Sequence, residues 1–452
     1  MSEHWYSFLI EKPRKPENPW HILSSLNRAQ AFTFTAAFLG WTLDAFDFHL
    51  VSYAIKDIAE EFGVSESAVA GGTTVTMMVR PIGALLFGLL ADRFGRRIPL
   101  MVDVVLFSLL GLLTGFAQNL WQFLVLRALF GICMGGEWGL GASLAMESLP
   151  LEARGIFSGI LQQGYNIGQM LASVVFVSVH DSLGWRAMFW IGSFPALLAL
   201  GIRFFVPESE AWKQEQRARG ESSTRSWIKT TGLVFKQHIG LLLSTMMLTT
   251  GLSFMSHGTQ DLFPTFLRSQ LDYTDGQVFA TTTVASLGAF VGGILLGFFS
   301  QYLGRRRSIA TMCLLGVCFV PIWGIAGLDS QAVLMLGSFL VQFCVQGAWG
   351  VVPALLTEIS PASIRGTFPG LTYQLGTLIS ASAAQIEAVL GEEFRLPDSR
   401  PNYGLTQSVM AWLAFSLTFI VVFFTKENIN NNFMDLHPDL SIEVPEKPEP
   451  VI

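Results

Sequence analysis

Long apolar stretches recur along the whole chain and alternate with short polar segments. An α-helix rises 1.5 Å per residue, so about 20 apolar residues are needed to cross the roughly 30 Å hydrocarbon core of a bilayer. Twelve stretches meet this requirement: residues 31–54, 68–91, 98–117, 120–146, 155–179, 187–206, 239–267, 277–301, 308–327, 332–357, 366–390 and 405–425. The pattern therefore predicts an all-α membrane protein with twelve transmembrane helices.

The polar segment 207–238 separates the first six predicted helices from the last six. It carries six Lys or Arg residues and no apolar run, so the positive-inside rule places it in the cytoplasm. Other basic residues fall on the same predicted side: Arg93, Arg96, Arg97, Arg154, Arg305 to Arg307 and Arg365. Acidic residues gather on the opposite side: Asp57, Glu60, Glu61, Glu66, Asp272 and Asp275. Both termini are therefore expected to be cytoplasmic.

This organisation divides the chain into five parts. We expect a cytoplasmic N-terminal segment (residues 1–30), a first six-helix bundle (31–206), a cytoplasmic linker (207–238), a second six-helix bundle (239–425) and a cytoplasmic tail (426–452). The tail is acidic and rich in Asn and Pro, a composition typical of disorder. The first 17 residues are polar and contain no apolar core, so no cleaved signal peptide is expected.

Composition supports a membrane protein and excludes several other classes. Hydrophobic residues make up 51% of the 452 residues and charged residues only 14%, whereas about a quarter of residues are charged in soluble domains. No Lys/Arg-rich block indicates a nucleic-acid partner. No nucleophile with an adjacent base and no metal-type cluster is visible, so we expect neither an enzyme, nor a cofactor, nor a metal site.

The two halves of the chain are related by short repeated motifs. The segment Gly88-Leu-Leu-Ala-Asp92-Arg93-Phe-Gly95-Arg96-Arg97 recurs at residues 297–306, and Glu147-x-x-Pro150-x-x-x-Arg154-Gly155 recurs at 358–366. Both motifs thus repeat at nearly one period of six predicted helices. Such parallel repeats are related by an axis along the membrane normal, and substrate binds between them near the bilayer midplane.

His257 and Asp261 place two ionisable side chains inside an apolar span. At a spacing of i and i+4 they share one helix face. An Asp near the bilayer centre costs about 2.5–3.5 kcal/mol, so we expect the pair to face a water-filled cavity. By helix rise from residue 239, His257 lies about 27 Å along its helix, in the outer part of that cavity, which favours a role in proton coupling.

Arg80 is the candidate for anchoring an anionic substrate. It lies roughly 18 Å along its helix from the Asp92 loop, near the middle of the membrane. Its guanidinium offers a planar pair of N–H donors that matches a carboxylate. The alternative is a structural ion pair with Glu137 or Asp47, and the two roles can alternate during a transport cycle.

Other acids in the first half are candidates for proton binding. Asp44 and Asp47 share one helix face, so they repel each other unless one is protonated or paired. They suit a proton site, a partner for Arg80, or polar packing beside the extracellular mouth. Glu137 lies about 15 Å along the helix from Arg127, too far for a direct pair, and is available to meet Arg80 or to bind a proton. We expect acids nearer the helix ends to be structural: Asp103, Glu147 and Glu387.

The repeat also predicts a pair of amides. Gln163 lies nine residues after Arg154, and Gln374 lies nine residues after Arg365. Amides from opposite halves can bind hydroxyl and carboxylate groups, so we expect them at the substrate, with contact between helices as the alternative.

The loop containing Asp92 resembles the signature loop of the major facilitator superfamily, and with the 6+6 repeat the chain is identified as a member of that superfamily. Asp92 can pair with arginines or cap a neighbouring helix at a cytoplasmic gate. In the second copy Gln301 replaces the acid, so that contact is expected to be weaker. The alternative is a basic loop that only sets topology. The predicted gating residues are Asp92, Arg96, Arg97, Arg154, Arg305 and Arg365.

A narrower resemblance concerns Ser253-Phe-Met-Ser-His-Gly-Thr-Gln-Asp-Leu-Phe-Pro-Thr265. It is similar to the signature Asn-x-x-Ser/Thr-His-x-Ser/Thr-Gln-Asp-x-x-x-Thr of the Jen-type lactate permeases in the sialate:proton symporter branch. That resemblance implies symport of short carboxylates, such as lactate and pyruvate, with protons in the cell membrane. It implies roles for Arg80, His257, Asp261 and Gln374 in binding or coupling.

Two departures from this pattern keep alternatives open. Ser253 replaces the leading Asn, and Glu137 follows two glycines as in the sialate carriers, although those carriers often have two more spans. The alternatives are a sialate or aromatic-acid proton symporter, and a nutrient sensor that does not transport. The predicted substrate-binding residues are Arg80, Gln163, Gln374, Ser256 and His257, and the predicted proton-coupling residues are His257, Asp261, Asp44, Asp47 and Glu137.

Overall fold

Helices form every regular element of the part of the chain that the computed structural model describes, residues 18–219, 224–324 and 330–434. The first half contains α1 (Pro19–Ser24), α2 (Arg28–Phe62), α3 (Glu66–Phe94), α4 (Arg97–Thr114), α5 (Leu120–Ser148), α6 (Arg154–Gln162) and α7 (Gly164–Phe204). The predicted linker contains α8 (Glu210–Arg219) and α9 (Thr224–Gln237). The second half contains α10 (Ile239–Gln260), α11 (Phe263–Ser269), α12 (Asp275–Leu303), α13 (Arg305–Gly324), α14 (Gln331–Trp349), α15 (Val352–Ile359), α16 (Phe368–Ser380), α17 (Ala383–Glu393) and α18 (Tyr403–Val422).

Eight helical segments within the described residues are long and apolar enough to cross a membrane. They are Glu66–Phe94, Arg97–Thr114, Leu120–Ser148, Ile239–Ser269, Asp275–Leu303, Arg305–Gly324, Gln331–Ile359 and Tyr403–Val422. The predicted spans 31–54, 155–179, 187–206 and 366–390 fall on helices outside these eight. The all-α membrane fold is therefore confirmed. Residues 1–17 and 435–452 of the predicted terminal segments lie outside the described residues.

The two halves use equivalent helix pairs. In the first half α3 packs along α5, and in the second half the corresponding α12 packs along α14. Between the halves, α3 packs on α16 and α6 packs on α12. The cavity described below lies between the halves, as the internal repeat predicts.

Breaks in the long helices fall beside polar residues. Helix α7 is interrupted at Gly184, whose φ of 72° and ψ of 176° are accessible to glycine. Helix α10 ends at Gln260, and α11 begins two residues after Asp261 with Pro264 in its first turn. Proline has no N–H and cannot continue the hydrogen bonds of α10. Irregular backbone at membrane depth is tolerated where it lines a cavity, and the break after α10 places Asp261 at such a surface.

Glycines allow the two halves to touch at one end of the molecule. We call this the basic end, defined by the loops at residues 92–97 and 301–307. A Cβ atom added to Gly88 would lie 2.6 Å from the Cα of Thr367, and one added to Gly159 would lie 2.4 Å from the carbonyl oxygen of Gly293. Only glycine fits at such distances, so the sequence permits backbone contact between the halves at this end.

Candidate transport site

A polar cavity lies between the two halves of the protein. It is large enough and polar enough to hold water. The first half contributes Arg80, Gln162 and Tyr165 to its wall, and the second half contributes residues of α10, α14 and α16 that include Ser256, His257, Asp261, Gln346, Trp349 and Tyr373. Arg80, from the second predicted span, and the pair His257 and Asp261, from the seventh, thus line the same cavity.

Arg80 lies on the cavity wall with its side chain almost fully buried. Its guanidinium lies 5.9 Å from the centre of the Tyr373 ring, which belongs to the other half. Its Nε and Nη2 atoms have no hydrogen-bond partner among the described residues. Buried N–H groups without partners are costly, so a carboxylate that enters the cavity gains by accepting from them.

His257 and Asp261 share the face that their spacing predicts. The His257 Nδ1 and Asp261 Oδ2 atoms are 2.9 Å apart, and both residues line the cavity. The side chains are 21% and 44% exposed. Next to them, Trp349 Nε1 donates to Ser256 Oγ at 2.7 Å, which fixes this hydroxyl on the cavity wall. The titratable pair is therefore accessible from the cavity that contains Arg80.

Asp47 is paired inside the first half rather than with Arg80. Arg127 Nη1 donates to Asp47 Oδ2 at 2.9 Å, and Arg127 Nη2 donates to Thr114 Oγ1 at 3.0 Å. Both charged side chains are buried, and the guanidinium lies 4.2 Å from the centre of the Phe130 ring. The expected alternative of an Arg80–Asp47 pair is thus absent from the described structure, because Arg127 holds that carboxylate. The sequence signal for this pair was the presence of two opposite charges, Asp47 and Arg127, in predicted spans of the same half.

Four other candidates are buried away from the wall. Asp44 and Glu137 are fully buried and are not among the residues that line the cavity. Gln163 packs its amide on α12, where a Cβ at Gly293 would lie 2.0 Å from its Nε2. Both amide atoms of Gln374 are buried without a hydrogen-bond partner among the described residues.

The adjacent residues Gln162 and Tyr373 take the positions at the wall that were predicted for Gln163 and Gln374. One residue turns a helix by about 100°, so neighbours in sequence face different surroundings. Trp138 Nε1 donates to Gln162 Oε1 at 3.3 Å, and the Trp138 and Tyr373 rings are 4.3 Å apart. The repeat offset that relates Glu147 to Glu358 also relates residue 162 to residue 373. It could have identified this pair had the helix face been known.

Asp92 joins the two halves at the basic end. Its carboxylate accepts from the backbone N–H groups of Gly366 and Thr367 at 2.7 and 3.1 Å, and from Thr367 Oγ1 at 2.6 Å. These N–H groups precede α16, so the acid caps the start of a helix in the other half and interacts favourably with its dipole. Asp92 was expected either to cap a helix or to pair with arginines. Its contact with the other half is the helix cap, whereas its arginine neighbour lies in its own half. Arg96 Nη1 lies 3.7 Å from Asp92 Oδ1.

The remaining predicted gating arginines stabilise the same end. Arg96 Nη2 donates to Glu147 Oε1 at 3.1 Å, and Arg365 Nη1 lies 3.8 Å from the same oxygen across the halves. In the second copy of the loop, Arg305 binds Glu358 within its own half, at 2.8 and 3.1 Å. Arg97 Nη2 donates to the Phe204 carbonyl at 2.6 Å.

The segment after α18 crosses the basic end. Asn431 connects the halves, because its carbonyl accepts from Arg154 at 2.6 Å and its amide donates to the Glu358 carbonyl at 2.5 Å. The buried Phe433 ring lies 3.8 Å from the Arg154 guanidinium and 4.4 Å from that of Arg365. We call residues 426–434 the C-terminal strap. They belong to the segment expected as a disordered tail, of which residues 435–452 lie outside the described residues.

Replacing Asp92 with Asn is expected to weaken closure of the basic end. The amide loses the charge that favours the helix N-terminus, and loss of such a cap costs about 0.5–2 kcal/mol. In a Cys318→Ser background, which removes the exposed native cysteine, a cysteine placed at the buried Ala354 should react faster with a maleimide in the Asp92→Asn protein. Asp275→Asn, a change in an exposed first-turn acid, is the control. Equal labelling rates in the two variants would contradict the role of the cap.

Phe433→Ala should loosen the same end through the strap. A cation–π contact contributes about 0.5–2 kcal/mol, and the ring makes two, one to each half. The labelling assay at Ala354 should again report faster reaction. Met434→Ala changes the neighbouring exposed side chain and is the matched control. If both strap variants label at the wild-type rate, the strap does not stabilise closure.

No group of three or more His, Cys, Asp or Glu side chains within residues 18–219, 224–324 and 330–434 is arranged to hold a metal ion.

Comparison with known proteins identifies related transporters. A family model described as Major Facilitator Superfamily matches residues 32–384. The chain is 29% identical to a carboxylic acid transporter protein homolog of Saccharomyces cerevisiae, over 92% of this chain and 70% of that protein. It is 28% identical to the sialic acid transporter NanX of Escherichia coli, over 78% and 85%, and 29% identical to a cis,cis-muconate transport protein of Acinetobacter baylyi, over 87% and 94%.

Solved structures support the same fold. The proton:xylose symporter XylE aligns with a TM-score of 0.72 at 20% identity, over 87% of this chain and 94% of that one. The human organic anion transporter MFSD10 aligns with a TM-score of 0.63 at 17% identity, over 86% and 99%. At these identities the comparison concerns the arrangement of helices.

Proposed function

We propose that this chain, which belongs to the major facilitator superfamily of membrane transporters, moves small organic acids together with protons. The family match covers most of the chain, and the protein is accordingly a multi-pass membrane protein and a transporter rather than an enzyme. Both the superfamily and the narrower resemblance to carboxylate and sialate carriers are thus confirmed.

The observation that carries the proposal is the position of Arg80. Its Nε and Nη2 groups are without partners in a cavity shared by both halves, beside the His257–Asp261 pair. A carboxylate fits such donors, and the nearby pair can take up a proton. The name of the yeast relative specifies carboxylic acids, and the segment 253–265 resembles the signature of lactate permeases, so we place lactate- and pyruvate-type acids first among the proposed substrates.

The proposed cycle couples protonation to substrate binding. A proton taken up at His257 or Asp261 reduces the negative charge at the cavity wall, and the carboxylate then binds Arg80; Asp47, predicted as a further proton site, is held by Arg127 instead. Opening of the basic end releases both. Substrate binding can favour one arrangement of the two halves only if some contacts differ between the two arrangements. In this proposal the contacts that differ are those of Arg80 and those of the basic end.

The membrane topology belongs to the same proposal. We place twelve spans in the bilayer, adding the regions of α2, α6, α7 and α16–α17 to the eight segments given above, with both termini and the basic end in the cytoplasm. Support comes from the length of α2, from the break of α7 at Gly184, and from the clustering of arginines at one end.

A wider substrate class is the second candidate, because relatives carry names that specify sialic acid and muconate. Arg80 would bind the carboxylate of each, and the remainder of the molecule would have to fit the cavity.

Uptake into proteoliposomes under an imposed pH gradient tests these readings. Lactate, pyruvate, succinate, sialate, muconate and benzoate are compared, with and without a protonophore. The proposal predicts protonophore-sensitive accumulation of at least one short carboxylate. Binding of a carboxylate without uptake would instead favour a sensor, and no accumulation of any acid would reject proton-driven transport.

A further inference from the structure

Helix α17 buries an acid that the sequence argument treated as structural. The buried residues of α17 are Ala383, Glu387 and Gly391, which follow one another at intervals of four and form one helix face. Glu387 lies at the centre of this face, and its side chain is fully buried. Neither carboxyl oxygen has a hydrogen-bond partner among the described residues.

The carboxyl group lies against the cavity-lining helix α10. A Cβ atom added to Gly258, the residue after His257, would lie 3.0 Å from Glu387 Oε1 and equally close to Met410 of α18. Glycine at 258 thus makes room for the carboxyl group at the junction of α10, α17 and α18. Asp261, three residues after Gly258, follows the last residue of the same helix.

No cationic side chain within residues 18–219, 224–324 and 330–434 is paired with the Glu387 carboxyl group. The titratable groups on the elements packed against α17 are His257 and Asp261 at the end of α10, and Tyr403 on α18. His257 is already held by Asp261 at 2.9 Å, and no Lys or Arg in the described part of the chain forms a salt bridge with Glu387. An ionised carboxylate buried without a partner is strongly disfavoured. Burial of this carboxyl group without a partner is compatible with its neutral, proton-bearing form.

We propose that Glu387 is a proton-carrying group of the transport cycle, a role that rests on the proposed proton-coupled function. When the helices rearrange, the O–H bond of Glu387 breaks, and the proton passes toward the Asp261 carboxylate on the cavity wall and from there to water. The helix is interrupted at residues 381–382, between α16, which carries Tyr373, and α17, which carries Glu387. Movement of α16 with bound substrate can thus alter the surroundings of the acid.

Glu387→Gln tests this role, because the amide imitates the protonated acid in shape and cannot release a proton. Two assays on the full-length protein in proteoliposomes separate transport from coupling: exchange of labelled for unlabelled carboxylate without a pH gradient, and accumulation driven by a gradient of 1 pH unit. One coupled proton supports up to about tenfold accumulation at that gradient. We expect Glu387→Gln to keep exchange within about twofold of wild type and to show no accumulation.

Matched variants keep each outcome informative. Glu392→Gln changes an exposed acid on the same helix and should accumulate substrate as wild type does. Accumulation by Glu387→Gln at the wild-type level overturns the role of Glu387, whereas absence of accumulation in wild type overturns the proposed function itself. Should the Gln variant fail to insert, Glu387→Asp decides, since a shorter titratable group must shift the pH profile of accumulation. An unmoved profile contradicts the proposal.

Discussion

Lysine in place of Arg80 is expected to remove most carboxylate affinity while leaving the protein folded. The ammonium keeps the positive charge but lacks the paired N–H groups that match a carboxylate. Hydrogen bonds to charged groups contribute about 1.5–3 kcal/mol, so losing one corresponds to a roughly ten- to hundredfold higher half-saturating concentration. The concentration dependence of exchange in proteoliposomes measures this change directly.

The control for this change is Arg268→Lys, at an exposed arginine paired with Asp275. It should leave exchange unaltered, because the surface pair contributes little. An Arg80→Lys protein with wild-type half-saturation would show that the carboxylate binds elsewhere in the cavity.

Arg127→Met is expected to produce the largest loss of stability among the changes considered. It leaves the buried Asp47 carboxylate without its cation, and removing one partner of a buried pair costs about 3–5 kcal/mol. Adding Asp47→Asn should recover much of that loss, because the remaining group is neutral. Thermal unfolding of the purified single and double variants gives the coupling between the two residues.

The result that would contradict this pair is additivity. If Asp47→Asn and Arg127→Met each destabilise the protein slightly and their effects simply add, the two side chains do not interact in the folded protein. Asp57→Asn offers a comparison at a partly exposed acid of the same helix, held at 2.8 Å by His180.

The membrane fold could be predicted from the sequence because its signal is local. Apolar length and the distribution of arginines are each read from one segment at a time, and the eight long apolar segments fall where the pattern predicts them. The same holds for His257 and Asp261, whose contact depends only on the spacing of one helix turn. Arg80 stood out because a permanent charge in an apolar span requires a reason.

Contacts between distant segments could not be predicted in this way. Asp47 and Arg127 lie 80 residues apart, and their pairing depends on how α2 packs beside α5. Gln162 rather than Gln163 lines the cavity because the exact rotation of α6 decides which neighbour faces inward. An error of one residue turns a side chain by about 100°.

The C-terminal strap illustrates a limit of composition. An acidic segment rich in Asn and Pro is typical of disorder. Phe433 nevertheless packs against two arginines, one from each half, and Asn431 forms hydrogen bonds to both halves. These partners belong to helices far away in the sequence. Glu387 is the converse case. Its distance from the span centre suggested a structural acid, and only the packing of three helices shows that its carboxyl group lacks a hydrogen-bond partner among the described residues.

The most direct test of the central claim is to follow protons and carboxylate together. Proteoliposomes containing a pH-sensitive dye and no imposed gradient receive an outside pulse of the best carboxylate from the uptake panel, with protein-free liposomes as the control for passive entry of the neutral acid. We expect substrate-dependent acidification of the interior in wild type that exceeds this background and is lost with Arg80→Lys. Carboxylate entry through the protein without acidification, or acidification unchanged by Arg80→Lys, would contradict it.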